Sequence, residues 1–555
     1  MAVFVAHRLA CAPTALIVSV WRKSGPISTP SAHAKPSGHT RCVEHTQTEA
    51  STDTLAGFVE RHARRRPDDV AMRFGNRQWS WAEWAARIRR VAGALREAGV
   101  RRGQCVAFLD KNHPACLEIL FAAASIGAVT TVINWRLSGD ELAHVLDDSG
   151  PRLLFVGAEL RAAVDGLPGI ERVVLVDDEY ESLLAAASPV PAEQVDESET
   201  ALVIYSSGTT GRPKGVLLSQ RALANHAANL APAFPFGDGE ANLVCMPLFH
   251  VGGIGYALFG IRAGAPTIMT REPDAAALIG AVRDGATHAF FVPPVIARFL
   301  EAGEAASAAL AGLRYIVYGA APMPLPLLHR ALSTWPETNF VQVYGQTELC
   351  GAVTALSDDD HRDPDRPHLQ LAAGKAVRGC EIRVVHPETG DVLPPGEPGE
   401  IWVRSNQNMT GYLNRPEATA ETITADDWVR TGDIGRLDAD GYVYIEDRLK
   451  DMIITGGENV YGPEVESVLI EHPAVADAAI IGVPDDYWGE SVKAIVVATD
   501  EVDADDIIAF CRRHLAGYKC PRTVDFVASL PRNPSGKILK TALREPFWQG
   551  RVRNV

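Results

Sequence analysis

The stretch Tyr205–Gly215 reads YSSGTTGRPKG and has the residue types of a phosphate-binding loop. Its glycines let backbone N–H groups approach phosphate oxygens, while its hydroxyls and Lys214 supply donors and positive charge. It is not a Walker loop, because Gly215 follows the lysine and Val216–Leu218 predicts a strand where that motif opens a helix. A solvated Gly/Ser hairpin is the alternative interpretation. The chemistry indicated is the binding of a polyphosphate.

Alternating strand and helix patterns must position this loop. The apolar run Ala201–Tyr205 predicts a buried strand that leads into it. Upstream, Val70–Phe74 alternates like a strand, and Ser80–Glu83 has the form of a capping box before a helix. Strands that alternate with helices of this length predict a layered α/β domain with a largely parallel sheet. Ligands of such sheets bind beyond the carboxyl ends of the strands.

Four later segments carry specific structural predictions. Leu243–Gly253 predicts a strand that runs into a glycine-softened turn, and Leu356–Gln370 predicts a polar, acidic loop. Glu381–His386 and Gly399–Arg404 indicate antiparallel strands. These last two segments predict a small β subdomain.

The C-terminal part has its own pattern, with a helix from Pro463 and strands over Ala478–Val483 and Val492–Ala498. The predicted fold is α/β: a large N-terminal multi-layer α/β domain with a small β subdomain over residues 51–449, then a small mobile α+β C-terminal domain over residues 450–555. Residues 1–50 hold no acid before Glu44. That composition predicts a disordered extension or a stretch upstream of the true start codon, with a targeting peptide as the alternative.

The composition excludes several classes of function. A chain of 555 residues with a formal net charge of −16 lacks the basic field that attracts nucleic acid. Its cysteines form no C-x-x-C pair, which predicts reduced thiols in a cytoplasmic protein without a zinc site. No apolar run reaches the roughly 20 residues of a membrane span. Peripheral membrane contact and an oligomeric assembly are left open.

Further motifs follow the loop along the chain: GAAP from Gly319, YGQTE from Tyr344, TGD ending at Asp433, DRLK ending at Lys450 and PRNPSGK ending at Lys537. In order and approximate spacing the set resembles the adenylate-forming superfamily, which includes the acyl-CoA synthetases. No Gly-x-Ser-x-Gly, His-Glu-x-x-His or Gly-x-Gly-x-x-Gly motif supports a hydrolase, a zinc protease or a simple dinucleotide site.

The resemblance implies a nucleotide site in which Glu348 binds Mg²⁺ beside Thr209, and in which Lys214 and Thr347 contact phosphates. It implies that Asp433 accepts hydrogen bonds from both ribose hydroxyls and that Arg448 lies near the same ribose. The implied nucleotide-binding residues are Ser206, Ser207, Gly208, Thr209, Thr210, Gly211, Lys214, Gly319, Ala320, Ala321, Tyr344, Gly345, Thr347, Asp433 and Arg448.

The resemblance also implies two half-reactions with ATP and coenzyme A as co-substrates. A carboxylate attacks the α-phosphorus of MgATP, and a thiol then attacks the resulting acyl-adenylate and expels AMP. Lys537 is implied to stabilise charge in the first step, and Lys450 to be the hinge about which the C-terminal module rotates. Gly456, Gly457 and Glu458 are implied to line the coenzyme A tunnel.

The implied acyl pocket comprises Phe249, His250, Val251, Gly252, Gln346 and Gly351. Its mostly apolar lining favours a fatty, alicyclic or aryl acid. Amino-acid-activating relatives carry Asp where His250 stands, which disfavours amino acids. Arg298 could pair with a second carboxylate, or it is a solvated helix residue. The alternatives to coenzyme A ligation are an acyl-AMP or carrier-protein-loading ligase and a catalytically dead nucleotide-binding regulator.

We expect Lys537→Ala to abolish formation of the acyl-adenylate and to leave the fold intact, because the lysine supplies charge only in the transition state. Exchange of pyrophosphate into ATP measures the first half-reaction, and circular dichroism checks the fold. Wild-type exchange by the variant would contradict the role implied for Lys537.

Overall fold

A computed structural model of the chain describes residues 54–137, 139–167, 170–206, 213–321, 323–455, 458–485, 488–515, 517–532 and 538–549. Residues 51–555 form one compact unit. The predicted N-terminal extension, residues 1–50, lies outside the described residues.

The first part of the chain alternates strands with helices, as predicted. Its elements are α1 (Gly57–Arg65), β1 (Val70–Phe74), β2 (Arg77–Ser80), α2 (Trp81–Glu97), β3 (Cys105–Leu109), α3 (Pro114–Ser125), β4 (Val129–Val132), α4 (Gly139–Ser149), β5 (Leu153–Val156), β6 (Val173–Leu175), α5 (Asp178–Ala186) and β7 (Thr200–Ser206). The capping box of α2 is confirmed: the Ser80 hydroxyl accepts from the Glu83 N–H at 3.3 Å, and the Glu83 carboxylate accepts from the Ser80 N–H at 2.8 Å.

The alternation continues through the segment that carries most of the motifs. Its elements are β8 (Lys214–Ser219), α6 (Gln220–Leu230), β9 (Asn242–Val244), α7 (Val251–Ala263), β10 (Thr267–Met269), α8 (Ala275–Arg283), β11 (His288–Phe291), α9 (Pro293–Glu301), α10 (Glu304–Leu310), β12 (Tyr315–Gly319), α11 (Leu325–Thr334), β13 (Asn339–Gln346) and β14 (Gly351–Leu356).

The remaining elements are mainly antiparallel strands, followed by the C-terminal α+β module. They are α12 (Asp358–Arg362), β15 (Gly374–Ala376), β16 (Cys380–Val385), β17 (Gly399–Ser405), β18 (Gly411–Tyr412), α13 (Pro416–Thr422), β19 (Val429–Leu437), β20 (Tyr442–Arg448), β21 (Ile453–Thr455), β22 (Glu458–Val460), α14 (Gly462–Ile470), β23 (Val475–Asp485), β24 (Gly489–Ala498), α15 (Ala504–His514), β25 (Thr523–Phe526) and α16 (Lys540–Trp548).

These strands form three sheets. The thirteen-stranded sheet has the order β16-β17-β19-β20-β15-β14-β13-β12-β11-β9-β10-β1-β2, and the seven-stranded sheet has the order β18-β8-β7-β4-β3-β5-β6. A third sheet, β22-β21-β24-β23 with β25 beside β24, belongs to the C-terminal module. The predicted antiparallel strands are confirmed, and they continue the larger sheet beyond β14.

The turn predicted at the end of Leu243–Gly253 is partly wrong: residues 248 and 249 form a turn, but the glycines lie beyond it. The strand ends at Val244, and Gly252 and Gly253 lie in the first turn of α7. A Cβ on Gly253 would lie 2.1 Å from the carbonyl oxygen of Pro247. This glycine therefore permits close packing of a helix and does not mark a turn.

The loop predicted over Leu356–Gln370 is also partly wrong, because it contains α12 and a 3₁₀ helix, Pro367–Leu371. Ser357 and Asp360 form a capping box, in which the Ser357 hydroxyl accepts from the Asp360 N–H at 3.2 Å. The Ser-x-x-Asp spacing was available in the sequence as a signal for this helix.

We expect Gly253→Ala to lower the free energy of unfolding by about 1–3 kcal/mol, since the added methyl group would meet the Pro247 carbonyl. Denaturant unfolding measures the change. Gly280→Ala is the matched control, because Gly280 lies inside α8 and a Cβ added there would have nothing within 4 Å. That variant should gain roughly 0.5–1 kcal/mol from helix propensity. Equal effects of the two substitutions would contradict the packing argument.

Candidate functional site

The carboxylate of Glu348 links the two large sheets. Its Oε1 accepts hydrogen bonds from Ser206 Oγ at 3.2 Å and from Tyr412 Oη at 2.9 Å. Ser206 ends β7, whereas Glu348 lies in the 3₁₀ turn Thr347–Leu349 that follows β13. The structure thus brings the start of the predicted phosphate loop against the predicted metal-binding carboxylate.

Tyr412 is a residue of this cluster that the sequence analysis missed. Lys214 Nζ lies 5.1 Å from the centroid of its ring, so the phosphate-loop cation lies beside the Glu348 cluster. Burial raises the pKa of Tyr412, and the Glu348 charge raises it further, so the hydroxyl stays protonated as a donor. Tyr412 belongs to no motif, and only the pairing of β18 with β8 places it here.

A second cluster forms around the buried carboxylate of Asp433. Arg448 Nε lies 2.6 Å from Asp433 Oδ1, and Tyr344 Oη donates to Asp433 Oδ2 at 2.7 Å. Asp433 and Arg448 are direct partners in the register of β19 and β20. Burial opposes the charge on Arg448, but neighbouring acidic groups, led by Asp433, raise its pKa overall. Each carboxylate oxygen retains a further acceptor position for a ribose hydroxyl.

The segment predicted to lie along adenine follows β12. A Cβ on Gly319 would lie 2.3 Å from the carbonyl oxygen of Val343, so the close pairing of β12 with β13 requires glycine here. Ala320 has φ of +63°, a left-handed conformation that is uncommon outside glycine. Such conformations are found at functional sites, where the surrounding structure enforces them.

The residues predicted for the acyl pocket come from the start of α7 and from either side of the 3₁₀ turn. Gln346 Nε2 donates to the carbonyl of Thr431 at 3.2 Å. Gly351 opens β14 with φ of +118°. His250 precedes α7, and its ring centroid lies 4.5 Å from that of Phe249.

His250 is held neutral. Burial, and then the positive charge of Arg136, lower its pKa to about 4. The Arg136 guanidinium lies 4.3 Å from the Trp135 ring and 5.4 Å from the Phe249 ring. Arg136 was not predicted, and no motif in the sequence marks it. A positive charge at this edge of the predicted pocket would disfavour a cationic substrate group.

Hydrogen bonds connect the backbone at the predicted hinge, Lys450, to segments on both sides of it in the chain. Leu449 N–H donates to the Gly432 carbonyl at 2.9 Å, whereas Arg544 of α16 donates to the Lys450 carbonyl at 3.2 Å. Asp447 Oδ2 accepts from the Gly462 N–H at 2.8 Å, and burial raises its pKa to about 6. Lys450 therefore lies between the strand that carries Arg448 and the C-terminal module.

Several predicted site residues lie outside the described residues, so their roles stay predictions. These are the phosphate-loop residues Ser207, Gly208, Thr209, Thr210 and Gly211, the tunnel residues Gly456 and Gly457, and Lys537. The backbone of Glu458 is part of β22, but its side chain is likewise outside the described part of the chain.

Arg298 is exposed on α9, and no carboxylate of the described ranges forms an ion pair with it. Among the described residues no group of three or more His, Cys, Asp or Glu side chains could hold a metal ion. The helices in that part of the chain are also too short or too polar to cross a membrane.

The family model described as AMP-binding enzyme matches residues 59–413, and the model described as AMP-binding enzyme C-terminal domain matches residues 464–537. The chain belongs to the AMP-binding enzyme family. This confirms the predicted superfamily.

Two curated AMP-binding enzymes are similar over nearly their whole length. A feruloyl-CoA synthase from an Amycolatopsis species is 39% identical over 500 residues, covering 89% of this chain and 99% of the relative. The fatty acid–[acyl-carrier-protein] ligase ScoC of Streptomyces coeruleorubidus is 36% identical over 514 residues, covering 90% of this chain and 98% of the relative.

A solved structure confirms the α/β fold class with its large and small parts. The o-succinylbenzoate–CoA synthetase of Bacillus subtilis, in complex with its acyl-adenylate intermediate, superposes with a TM-score of 0.78 at 29% identity, covering 88% of this chain and 97% of that chain. The same synthetase has been solved with ATP and magnesium ion, with a TM-score of 0.78 at 30% identity, covering 88% and 98%.

We expect Asp433→Asn to weaken ATP binding by roughly tenfold to a hundredfold, because the amide loses charge-assisted bonds and leaves Arg448 partly buried without its counter-charge. Isothermal titration with ATP measures the affinity. Glu446→Gln is the matched control, since Glu446 pairs with Arg436 at 3.2 Å on the same two strands. That control should leave ATP affinity unchanged, and an equal loss in both variants would contradict the assignment.

Proposed function

We propose that the chain is an AMP-forming acid–thiol ligase that activates a carboxylic acid as its acyl-adenylate and transfers the acyl group to coenzyme A. The observation that carries the proposal is that Ser206 and its strand partner Lys214 lie at the Glu348 cluster, and that the charge of Glu348 acts on Arg448, the partner of Asp433. This arrangement joins a phosphate-binding cluster to a ribose-binding carboxylate. The relatives named as a CoA synthase and a CoA synthetase support it.

Catalysis then rests on position and charge. The hydroxyl of Ser206 and the ammonium of Lys214 bind phosphate oxygens, Thr347 contacts the α-phosphate, and Asp433 orients the ribose. Lys537 neutralises charge as the substrate carboxylate approaches the α-phosphorus. No side chain needs to form a covalent bond with the substrate.

The residues present fit a magnesium site. Mg²⁺ is usually held by one or two carboxylates together with substrate phosphates and waters, and Glu348 presents one carboxylate at the phosphate loop. Glu348, together with Thr209 of the predicted phosphate loop, would hold the ion, which would supply charge neutralisation for the phosphates.

The acid that we propose is an apolar monoacid of the fatty, alicyclic or aryl class. Phe249 and the glycine-rich start of α7 offer apolar surface. The Arg136 charge disfavours the ammonium group of an amino acid, and the exposure of Arg298 gives no support for a second carboxylate.

The finer assignments are also proposals. We place the domain boundary near residues 449 and 450, with Lys450 as the hinge between the two half-reactions. Coenzyme A reaches the site past Gly456, Gly457 and Glu458.

A cytoplasmic location agrees with the lack of disulfides among the cysteines that the structure describes. Loading of a carrier protein is the second candidate, because one relative is a fatty acid–[acyl-carrier-protein] ligase.

Release of AMP across a panel of acids, measured with and without coenzyme A, tests the proposal. The panel comprises fatty acids of several lengths, benzoates, cinnamates, malonate and amino acids. We expect AMP release to require coenzyme A and to be restricted to apolar monoacids. Glu348→Gln should reduce the rate by about a hundredfold or more, because transition-state charge loses its stabilisation. Stoichiometric acyl-adenylate without turnover on coenzyme A would favour carrier loading, and no activity with any acid would contradict ligation.

A further inference from the structure

A cluster of buried aromatic rings, called the wall below, lies on and beside α7. The ring of Tyr256 is surrounded by those of Phe234, Phe259 and Phe290, with centroid distances of 6.1, 6.1 and 5.8 Å. All four side chains are buried. A flat aryl group packs well against such rings in offset or edge-to-face arrangements.

The wall continues the surface of the predicted acyl pocket. Gly252 and Tyr256 are four residues apart on α7 and so lie on one face of the helix. A Cβ on Gly252 would lie 3.1 Å from Phe290 Cε1, and the same Phe290 ring contacts Tyr256. Tyr256 therefore lies one helical turn along α7 from the predicted pocket residue Gly252.

The hydroxyl of Tyr256 is a buried polar group without a hydrogen-bond partner among the described residues. Only 4% of the residue is exposed. Burial raises the pKa of Tyr256 well above its usual value, so the group stays a neutral donor. A buried hydroxyl without a partner is costly, and most proteins avoid it. A group that carries such a cost is expected to be satisfied in the functional complex.

A second unsatisfied donor lies at the other end of the same wall. The ring of His226 lies 4.9 Å from that of Phe259, and its Nε2 accepts from the Ala352 N–H at 3.2 Å. Nδ1 therefore carries the proton, and it has no partner among the described residues. The wall thus combines aromatic surface with two donors, and both donors are neutral.

We propose that the Tyr256 hydroxyl donates a hydrogen bond to an oxygen atom at the far end of the acyl group, so that the preferred substrate is an oxygen-substituted aryl acid. This inference rests on the proposed ligase function and narrows its substrate class. Aromatic packing selects the ring, and the otherwise unpaired donor selects the oxygen.

Pairs of acids in which one oxygen atom replaces a methylene group test this assignment. Methoxybenzoates are compared with ethylbenzoates of the same shape, substituted at the 3- or 4-position. The corresponding cinnamates extend the distance between the carboxylate and the substituted ring. We expect wild-type kcat/KM to favour the methoxy member of at least one pair by about tenfold, the effect of one neutral hydrogen bond. In Tyr256→Phe the ratio for that pair should fall to about one.

The stability of the free enzyme gives an independent readout. Tyr256→Phe should keep or raise the melting temperature, because the removed hydroxyl has no partner in the described residues. Tyr180→Phe is the matched control, since the Tyr180 hydroxyl donates to Glu118 Oε2 at 2.6 Å in an equally buried site. The control should lower the melting temperature and leave the ratio of the two acids unchanged.

Equal ratios in wild type and Tyr256→Phe for every pair would overturn the inference. A fall in melting temperature like that of Tyr180→Phe would also overturn it, because the hydroxyl would then serve the fold. Coenzyme-A-dependent turnover of the acids without any oxygen preference would leave the ligase function standing and reject only this narrowing. The absence of turnover with every acid would reject both.

Discussion

The ion pair between the buried Asp433 and the partly buried Arg448 is the contact on which the predicted nucleotide site depends. The two residues face each other across β19 and β20, and Tyr344 adds a hydrogen bond from the separate strand β13. A buried carboxylate is costly unless it is fully partnered. Because both oxygens already have partners, the orientation of Asp433 is fixed in the free protein, and the predicted binding of a ribose would cost this side chain little entropy.

The second constraint is the meeting of the two large sheets at Glu348. Ser206 reaches it from the seven-stranded sheet, and Glu348 follows β13 of the thirteen-stranded sheet. Tyr412 fixes the same carboxylate from β18, which pairs with β8 beside the phosphate loop. The start of the predicted phosphate-binding loop and the predicted metal-binding carboxylate are thereby held together without a continuous strand between them.

Three residues, one each in the predicted adenine segment, the predicted acyl pocket and α7, depart from ordinary conformational or packing rules. Ala320 adopts a left-handed conformation, His250 is buried in its neutral form, and the hydroxyl of Tyr256 lacks a partner among the described residues. Each departure costs stability in the free protein. Local rules are typically broken at functional sites, where a ligand or a reaction step compensates the cost.

The sequence by itself determined the strand–helix alternation, the capping box at Ser80 and the identity of the nucleotide motifs, because these depend on residues close together along the chain. Prediction from the sequence failed where contacts between residues far apart along the chain decide the local structure. The local pattern around Gly253 indicates a turn, yet this glycine lies in α7, where the close approach of the Pro247 carbonyl leaves no room for a side chain. Only the tertiary structure brought Tyr412 to Glu348 and Arg136 to the ring of Phe249, since the pairing and packing of distant segments, which no local pattern encodes, set those distances.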